Sequence, residues 1–505
     1  MENSWLLLAL ISVLTVAFIL TLFKPHRQQK LQPPGPKPWP IIGNLNLVGS
    51  IPHQSLHHLS KKYGEIMLLK FGKFPVVVAS SPKMAEQFLK VHDAAFASRP
   101  PSMAAGKHIS YNNSDVSFSP SGPYWRETRK ILMSELLSSK KLDQHEEIRI
   151  EERRTFFARL RALSGKPVVL REHLSRYTLS TICRMVVTNK YVGESDEEGA
   201  IIDEHGMAEM MREWFTLNGV FNIGDWIPWL GPLDLQGYVK RMKAFRKKSD
   251  WFFGFVIDDH VARRGGGDRD FVDALLEIAE DPNAQVELTR DCLKSLIMNV
   301  VLGGPDTSIT AVEWAIHEML RQPRIIKKAR EELHTVIGRD RWVEENDFTQ
   351  LPYIDAIIME TFRLHPIATF LGPHYAIQDC NVAGYHISKG TTVLVNTWST
   401  GRDPSTWDEA GEFMPERFVG KHTDMTGTNF SLLPFGSGRR MCPGYNLGLK
   451  IVRTTLANLL HGFELKLDEG MRNEDVSMEE QYGLATNPKH PVSIVMKPTL
   501  PTHLY

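Results

Sequence analysis

Cys442 is the residue whose surroundings most clearly suggest chemistry. It lies in the segment Pro434 to Gly444, PFGSGRRMCPG, whose glycines allow tight or left-handed backbone. The pattern from Leu447 to Leu460 predicts a helix, which puts Cys442 just before a helix N-terminus. The positive end of that helix and nearby backbone N–H groups would stabilise a thiolate. Because a thiolate is an axial ligand of haem iron that favours O–O bond cleavage, the loop predicts a haem-thiolate site.

The other cysteines and the overall composition exclude several function classes. Cys183, Cys292 and Cys380 lie in helical or strand-like segments and are interpreted as packing residues. Four cysteines are too few for a disulfide framework, and their spacing is not that of a zinc site. Lys plus Arg and Asp plus Glu are 59 each among 505 residues, so the net charge is zero. Nothing here indicates a nucleic-acid-binding protein, which would carry a basic excess.

A long helix from Arg290 to Arg321 is predicted to carry the second chemical group. Its middle reads GGPDTS, Gly303 to Ser308, and the two glycines and Pro305 are poor residues for a helix interior. We expect them to open or kink the helix locally. The carboxylate of Asp306 and the hydroxyl of Thr307 could then relay protons. The alternative is a break between two separate helices.

The cysteine loop resembles the haem-binding signature of the cytochrome P-450 family, F-x-x-G-x-R-x-C-x-G. The fixed positions are matched by Phe435, Gly438, Arg440, Cys442 and Gly444. The proline hinge, the PERF segment and the C-terminal LPTHLY are most similar to plant microsomal enzymes of the A-type group. The resemblance implies haem b as cofactor, held by Cys442. It also implies electrons from NADPH through NADPH–cytochrome reductase, with cytochrome b5 as an optional second partner.

Further motifs follow the order that this resemblance requires. Trp125 and Arg129 match the family's W-x-x-x-R helix and, with Arg440, are expected to contact the haem propionates. The segment around Asp306 and Thr307 resembles the family's oxygen-activation motif. Many relatives have an arginine where this chain has His374, so a propionate contact there depends on the protonation of His374.

Glu360 and Arg363 are three residues apart on a predicted helix, in the sequence ETFR. Alone, such a pair is usually a surface ion pair worth little. Arg417, in FMPERF, matches the family's third partner, and the resemblance implies one buried network of Glu360, Arg363 and Arg417 that supports the haem pocket.

The N-terminus predicts a membrane anchor. Trp5 to Phe23 contains 19 uncharged residues, nearly enough for a helix to cross a bilayer. Lys24, Arg27 and Lys30 follow it, so the catalytic part should face the cytosol. The resemblance to microsomal enzymes implies that the membrane is that of the endoplasmic reticulum. A cleaved signal peptide is the alternative. The predicted organisation is an anchor over 1–23, a basic and proline-rich hinge over 24–40, and one domain over 41–505.

The expected fold class is mainly α with a minor β part. The resemblance makes this a cytochrome P-450 fold, one large haem-binding domain behind an N-terminal transmembrane helix. Alternating or continuous apolar runs predict strands at Ile66–Phe71, Phe74–Ala79, Thr391–Asn396 and Val492–Met496. Gly265 to Gly267, flanked by charges, predicts an exposed loop.

The predicted function is an NADPH- and O2-dependent monooxygenase that hydroxylates an apolar plant specialised metabolite. By family analogy the pocket is formed by Met103 to Asn112, Met210 to Leu217, Ile297 to Asp306, Ile367 to Leu371 and Gly483 to Thr486. This largely apolar set suits a terpenoid, a steroid or a phenolic or flavonoid molecule. The alternatives are a haem-thiolate isomerase or dehydratase, an enzyme that cleaves C–C bonds, and a catalytically silent haem-binding protein.

Overall fold

The computed structural model describes residues 31–188, 191–193, 201–263, 269–421 and 423–505. The predicted anchor and the Gly265 to Gly267 loop lie outside these ranges. No helix in the described part of the chain is long and apolar enough to cross a membrane. The described end of the hinge packs on the domain, since Pro34 O accepts a hydrogen bond from Leu68 N at 2.8 Å.

Most of the described chain is helical, as the sequence predicts. The α-helices, in chain order, are α1 Pro52–Tyr63, α2 Pro82–Glu86, α3 Asp93–Phe96, α4 Ala104–His108, α5 Pro123–Leu132, α6 Ser139–Gln144, α7 Glu146–Ala162, α8 Leu170–Val187, α9 Glu204–Gly219, α10 Ile223–Trp226, α11 Tyr238–Ala262, α12 Phe271–Glu280, α13 Arg290–Arg321, α14 Pro323–Val336, α15 Pro352–Leu364, α16 Thr397–Thr400 and α17 Tyr445–Gly462. Short 3-10 turns lie at Leu45–Leu47, Pro228–Leu233, Glu345–Gln350, Pro415–Phe418, Gly438–Arg440, Asn473–Asp475 and Thr502–Leu504, and π-turns at Gln87–Val91 and Met133–Leu137.

Small sheets lie at the edges of the helical body. The strands are β1 Ile66–Phe71, β2 Phe74–Ala79, β3 Pro167–Val169, β4 Val192–Gly193, β5 Ile202–Asp203, β6 His374–Tyr375, β7 Cys380–Val382, β8 Tyr385–Ile387, β9 Thr392–Val395, β10 Phe463–Leu467, β11 Glu480–Gln481, β12 Asn487–Pro488 and β13 Ser493–Pro498. The largest sheet has the order β1-β2-β9-β6, with β2 and β9 parallel. The four predicted strands are confirmed, two of them at the predicted bounds and two within a residue or two.

Helix α13 is the central element of the core. It begins at Arg290 and ends at Arg321, as predicted, and runs through Pro305 without interruption. The alternative of two separate helices is therefore wrong, and the expected opening at the glycines is not large enough to end the helix. Most α13 side chains are buried, so packing on all sides compensates for the weak helix formers at its middle.

Candidate active site

A cavity of about 370 Å³ lies between the middle of α13 and the loop that precedes α17. Cys442 and Phe435 line one side, and Gly303, Gly304 and Thr307 line the α13 side. Arginines and His374 lie at one edge of the cavity. The remaining wall is mostly apolar: Val116, Phe118, Leu132, Leu137, Ile182, Trp214, Phe215, Val300, Ala311, Phe362, Ile367, Leu371, Leu447, Ile451, Val452 and Leu484.

The cysteine loop is held in a tight backbone conformation. Cys442 N donates a hydrogen bond to Phe435 O at 2.8 Å, which closes the loop. Gly438 has a φ of +67°, and a Cβ there would lie 2.3 Å from Leu89 O, so no other residue fits without moving the backbone. Gly444 has an ordinary negative φ but lies beside the sulfur, where a Cβ would be 3.9 Å from Cys442 Sγ. The backbone thus presents the sulfur to the cavity.

The thiol environment contains opposing effects. Burial raises the pKa of Cys442, while the backbone N–H of Gly444 and the charge of Arg129 lower it. Cys442 has accessible surface and lines the cavity. The desolvation arises because protein atoms surround the sulfur closely on its other sides. The predicted stabilisation by backbone N–H groups is therefore present, but burial outweighs it in the protein alone. A coordinated metal cation would deprotonate the sulfur.

Three arginines converge on one edge of the cavity. Arg99 donates to Ser117 O and Pro373 O, each at 2.9 Å. Arg129 donates to Met441 O at 2.6 Å. Arg440 donates to Ala97 O and Ser119 O, each at 2.6 Å. In the described part of the chain the hydrogen bonds of all three go to backbone carbonyls rather than to carboxylates.

The positive charges at this edge would be stabilised by anions. Burial, together with the charges of Arg99 and Arg129, lowers the pKa of Arg440 to about 8. Burial likewise lowers the pKa of Arg99 to about 10, against the opposing charge of Asp115. Buried cations that repel one another are stabilised by carboxylates placed among them. With a cysteine sulfur on one wall, this set fits haem b: Cys442 would hold the iron, and the three arginines would hold the two propionates.

Trp125 and His374 also lie at this edge. Trp125 Nε1 donates to Val116 O at 3.2 Å, and the Arg440 guanidinium lies 4.0 Å from the indole ring centre. Burial lowers the pKa of His374 to about 3, so its ring is neutral. Its Nδ1 donates to Phe96 O at 3.1 Å, which leaves Nε2 without a proton. In this arrangement His374 offers no N–H to a propionate.

The two proton-relay candidates on α13 face different surroundings. Thr307 lines the cavity, and its Oγ1 lies 3.3 Å from Gly303 O and 3.2 Å from Gly304 O. Asp306 does not line the cavity. It is buried and forms an ion pair with Arg171 of α8 at 3.0 Å. Burial raises the pKa of Asp306, and the charge of Arg171 lowers it.

The structure brings Glu360, Arg363 and Arg417 together in the interior. Arg363 Nε and Nη2 donate to the two carboxylate oxygens of Glu360 at 2.6 and 2.7 Å, and Arg417 Nε lies 3.0 Å from Glu360 Oε1. Arg363 also donates to Gly401 O at 2.6 Å and to Glu412 O at 2.8 Å. The surface ion pair considered as an alternative is therefore wrong, since the exposed fraction of the Glu360 and Arg363 side chains is 0%.

The predicted pocket segments are met in part. The cavity is lined from 210–217, 297–306, 367–371 and 483–486, but not from Met103 to Asn112. Val116, Ser117 and Phe118 take that place, because the loop after α4 turns through three left-handed residues before it reaches the cavity. Sequence reasoning also missed Arg99. The available signal was a single charge in the otherwise uncharged segment from Ala94 to Gly106.

Comparison with known proteins agrees with this geometry. Residues 33–495 match the family model "Cytochrome P450". The chain is 44% identical to trimethyltridecatetraene synthase of Zea mays, over 94% of this chain and 89% of that one. It is 40% identical to flavonoid 3′-monooxygenase of Petunia hybrida, over 99% of each chain.

Solved structures support the same assignment. A zebra fish cytochrome P450 with abiraterone superposes with a TM-score of 0.75 at 25% identity, covering 89% of this chain and 100% of that one. The mainly helical body with its minor sheets is thus the fold of that family. The chain belongs to the cytochrome P450 family and is a haem b monooxygenase that uses electrons from NADPH delivered through a reductase.

Proposed function

We propose that the enzyme oxidises an apolar terpenoid, with Cys442 as the residue that would hold the haem iron. The observation that carries the proposal is the cavity itself, in which Cys442 faces a mostly apolar wall. When bound, the haem supplies the iron at which dioxygen is reduced and split. Arg99, Arg129 and Arg440 would hold its propionates, and Trp125 would fix the plane of the Arg440 guanidinium.

The protein's own proton donors would act from α13. The Thr307 hydroxyl bonds only to carbonyls of its own helix, so it can turn and give its proton to the cavity. Asp306, the preceding residue, would replace that proton after its carboxylate turns away from Arg171 and takes up a proton from solvent. Glu313 also pairs with Arg171 and has a buried oxygen without a partner in the described chain. This second acceptor would keep Arg171 paired while Asp306 moves.

The polarity of the cavity favours a terpenoid over a polyhydroxylated flavonoid. The amide of Asn299 is hydrogen-bonded to the neighbouring loop, the hydroxyl of Ser308 bonds to Gly304 O, and the hydroxyl of Thr307 is the proposed proton donor. Each substrate hydroxyl buried without a partner would cost about 1–3 kcal/mol. A molecule with several hydroxyl groups therefore loses more on entering this cavity than a terpenoid does.

One hydroxyl can nevertheless be accommodated on α9. Trp214 Nε1 and Asn218 Oδ1 lack partners in the described chain, and both residues line the cavity one helical turn apart. A hydroxyl accepts from the indole N–H and donates to the amide oxygen, after a small rotation that exposes these buried atoms. The proposed substrate is thus a terpenoid with a single alcohol group.

The test is a comparison of substrates in reductase-containing microsomes. Terpenoid alcohols, terpenoid hydrocarbons and flavonoids are each supplied with NADPH, and products are identified by mass spectrometry. We expect turnover of terpenoid alcohols above that of flavonoids, and none with Cys442→Ala. Turnover of flavonoids alone would contradict the terpenoid proposal and leave the monooxygenase assignment intact.

A second outcome, cleavage of a C–C bond, is favoured by the names of two relatives. Trimethyltridecatetraene synthase and dimethylnonatriene synthase of Zea mays, 44% and 41% identical, are named for branched polyene hydrocarbons. Such products retain no hydroxyl group. Gas chromatography of the volatile fraction distinguishes the two outcomes, since cleavage gives hydrocarbons shorter than the substrate and hydroxylation gives an alcohol of the same carbon number.

We further propose that the enzyme is held at the endoplasmic reticulum membrane by its N-terminal anchor, with the catalytic domain in the cytosol. An exposed apolar patch next to the hinge supports this orientation; it consists of Trp39, Ile41, Ile42, Trp229, Leu233 and Leu235. The two halves of the patch are adjacent, because Gly72 N donates to Ile42 O at 3.1 Å and a Cβ at Gly72 would lie only 2.0 Å from Trp226 O. Exposed apolar patches of this kind mark membrane or protein contacts.

Deletion of the N-terminal segment separates the contribution of the anchor to membrane binding from that of the patch. Deletion of residues 1–23 should release most of the protein from microsomes, and adding Trp229→Glu and Leu233→Glu should release the remainder. Full membrane retention after deletion would contradict the anchor, and no further release by the glutamates would contradict a role for the patch.

A further inference from the structure

Asn299 connects the cavity side of α13 to the loop opposite. Its Nδ2 donates to Asp115 Oδ2 at 3.1 Å, while its Oδ1 accepts from Val116 N at 3.2 Å and from Ser117 Oγ at 3.3 Å. A carboxylate can only accept from Asn299 and a backbone N–H can only donate to it, so these partners fix the orientation of the amide. Both ends of the side chain are therefore committed to one short segment, Asp115 to Ser119, which we call the carbonyl loop.

The backbone carbonyls of the carbonyl loop accept hydrogen bonds from the cationic side chains of the cavity edge. Ser117 O accepts from Arg99 at 2.9 Å, and Ser119 O accepts from Arg440 at 2.6 Å. Val116 O accepts from both Trp125 at 3.2 Å and Arg440 at 3.3 Å. The loop is closed internally, since Asp115 Oδ1 accepts from Phe118 N at 2.6 Å. A shift of this loop would therefore move two of the three arginines and the tryptophan together.

Asp115 also completes the charge of the edge. It is fully buried, and its charge acts on both Arg99 and Arg440. Arg99, Arg129 and Arg440 supply three positive charges, which two haem propionates would balance only in part. Burial raises the pKa of the Asp115 carboxyl, while the hydrogen bonds from Phe118 N and Asn299 and the charge of Arg99 lower it. In its ionised form Asp115 supplies the third negative charge. Its second oxygen is held by Asn299, which satisfies that oxygen without adding charge.

We infer that Asn299 is a positioning residue for haem retention: it holds the carbonyl loop, and through it the arginines that face the propionates. This role rests on the haem placement proposed above. Asn299 lies on the α13 side of the cavity, away from the sulfur. Its proposed role requires no contact with the substrate. Its amide acts through Asp115 and the loop carbonyls.

An exchange of the two side chains tests the connection. In the double variant Asp115→Asn and Asn299→Asp, the amide introduced at position 115 accepts from Phe118 N and donates to position 299. The carboxylate introduced there still accepts from Val116 N and Ser117 Oγ. Every hydrogen bond is retained. Asn299→Asp alone sets two carboxylates against each other, and Asp115→Asn alone sets two amide N–H groups against each other.

The measurement is the rate of haem transfer from each holoprotein to an excess of apomyoglobin. Loss of a hydrogen bond to a charged group corresponds to about a tenfold change or more. We expect each single variant to lose haem at least about tenfold faster than the unchanged protein, and the exchange variant within about threefold of it. His317→Gln, on α13 but outside the cavity lining, is the matched control, because the glutamine amide can still donate to Ser477 O, and it should leave the transfer rate unchanged.

The outcomes separate this inference from the haem proposal. The role of Asn299 is overturned if all variants transfer haem at the same rate. It is also overturned if the exchange variant loses haem as fast as the single variants. Reduced carbon-monoxide spectra, recorded first, report whether a thiolate-ligated haem is present at all. If single variants fail to fold, the exchange variant alone decides, because a generally disruptive pair of substitutions would not restore haem retention.

Discussion

The two main walls of the cavity are built in different ways. On the sulfur wall, backbone geometry positions the chemistry: Cys442 N bonds to Phe435 O, and Gly438 lies against Leu89 O where no Cβ fits. On the α13 wall, side chains position the chemistry. Each has alternative hydrogen-bond or ion-pair arrangements available to it. Thr307 has two alternative carbonyl acceptors, and Asp306 shares Arg171 with Glu313.

This difference indicates which wall tolerates movement. A metal ligand must stay at a fixed place, so its loop is held by backbone hydrogen bonds and glycines. A proton donor must exchange partners during each turnover, so its side chain needs acceptors of similar strength nearby. Substitutions in the sulfur wall should therefore affect assembly of the folded holoprotein. Those in the α13 wall should affect how much product is formed for each NADPH consumed.

The largest effect is expected for Cys442→Ala on the sulfur wall. The variant removes the only described cysteine that lines the cavity around α13 and α17, so no thiolate can ligate the haem iron. Reduced carbon-monoxide difference spectra should lose the thiolate-type band completely, and product should disappear. A surviving band would assign the ligand to another residue.

The next effect is expected in the network behind the sulfur wall. Arg363→Met leaves the fully buried Glu360 with a single arginine partner, at a cost of about 3–5 kcal/mol. The free energy of unfolding, or the yield of folded holoprotein, measures this. Arg472→Met is the matched control, because Arg472 and Asp475 have the same three-residue spacing on the surface and exposed ion pairs contribute little. Equal effects of the two variants would contradict a structural role for burial of the network.

The cysteine loop and the network could be predicted because their motifs are local and their residue types leave few alternatives. Phe435, Gly438 and Cys442 lie in one short segment, where glycine and cysteine have specific physical roles. The bounds of α13 followed from Pro323 and from a long apolar pattern. For the cysteine loop and this helix, local sequence carries most of the information.

The cavity edge could not be predicted in the same way. Arg99, Asp115 and Asn299 lie far apart in sequence and meet only through the tertiary fold. Asp306 illustrates the same limit, because its partner Arg171 lies 135 residues earlier and turns the carboxylate away from the cavity. Sequence identified the carboxylate correctly as a chemical group but had no means of stating which way it faces.

Acid should lower the stability of the folded protein through two buried histidines, one on α13 and one at the arginine edge of the cavity. Burial lowers the pKa of His317, on α13, to about 4 and that of His374 to about 3, from an ordinary 6.5. Below about pH 6.5 the unfolded chain binds protons that the folded chain excludes, so stability falls as pH falls, by at most about 1.4 kcal/mol per pH unit for each histidine. Melting temperatures measured from pH 7.5 to 5 should decrease.

The variant His317→Gln tests how much His317 contributes to this dependence of the melting temperature on pH. The glutamine amide can still donate to Ser477 O, the partner of His317 Nδ1, but it does not titrate. The variant should reduce the dependence of the melting temperature on pH. An unchanged dependence would show that this histidine contributes nothing to acid sensitivity.

A smaller effect on assembly, but a clear effect on coupling, is expected for Thr307→Ala. Removal of the hydroxyl takes away the proton donor on the cavity side of α13, while the backbone of the helix is unaffected. Substrate should still bind, NADPH should still be consumed, and more of the electrons should appear in hydrogen peroxide. Thr307→Ser keeps the hydroxyl and should restore most of the product per NADPH. Unchanged coupling in the alanine variant would remove Thr307 from proton delivery.

The smallest effect is expected on the third wall, at α9. Asn218→Leu removes the acceptor proposed for a substrate alcohol but retains an apolar side chain of similar size beside Trp214. One neutral hydrogen bond is worth about 1 kcal/mol, so KM for a terpenoid alcohol should rise about fivefold with little change in kcat. The matching hydrocarbon without the hydroxyl should show no such rise. If both molecules are affected equally, the amide acts through the shape of the cavity and not through a hydrogen bond. The α9 wall would then select substrates by their shape alone.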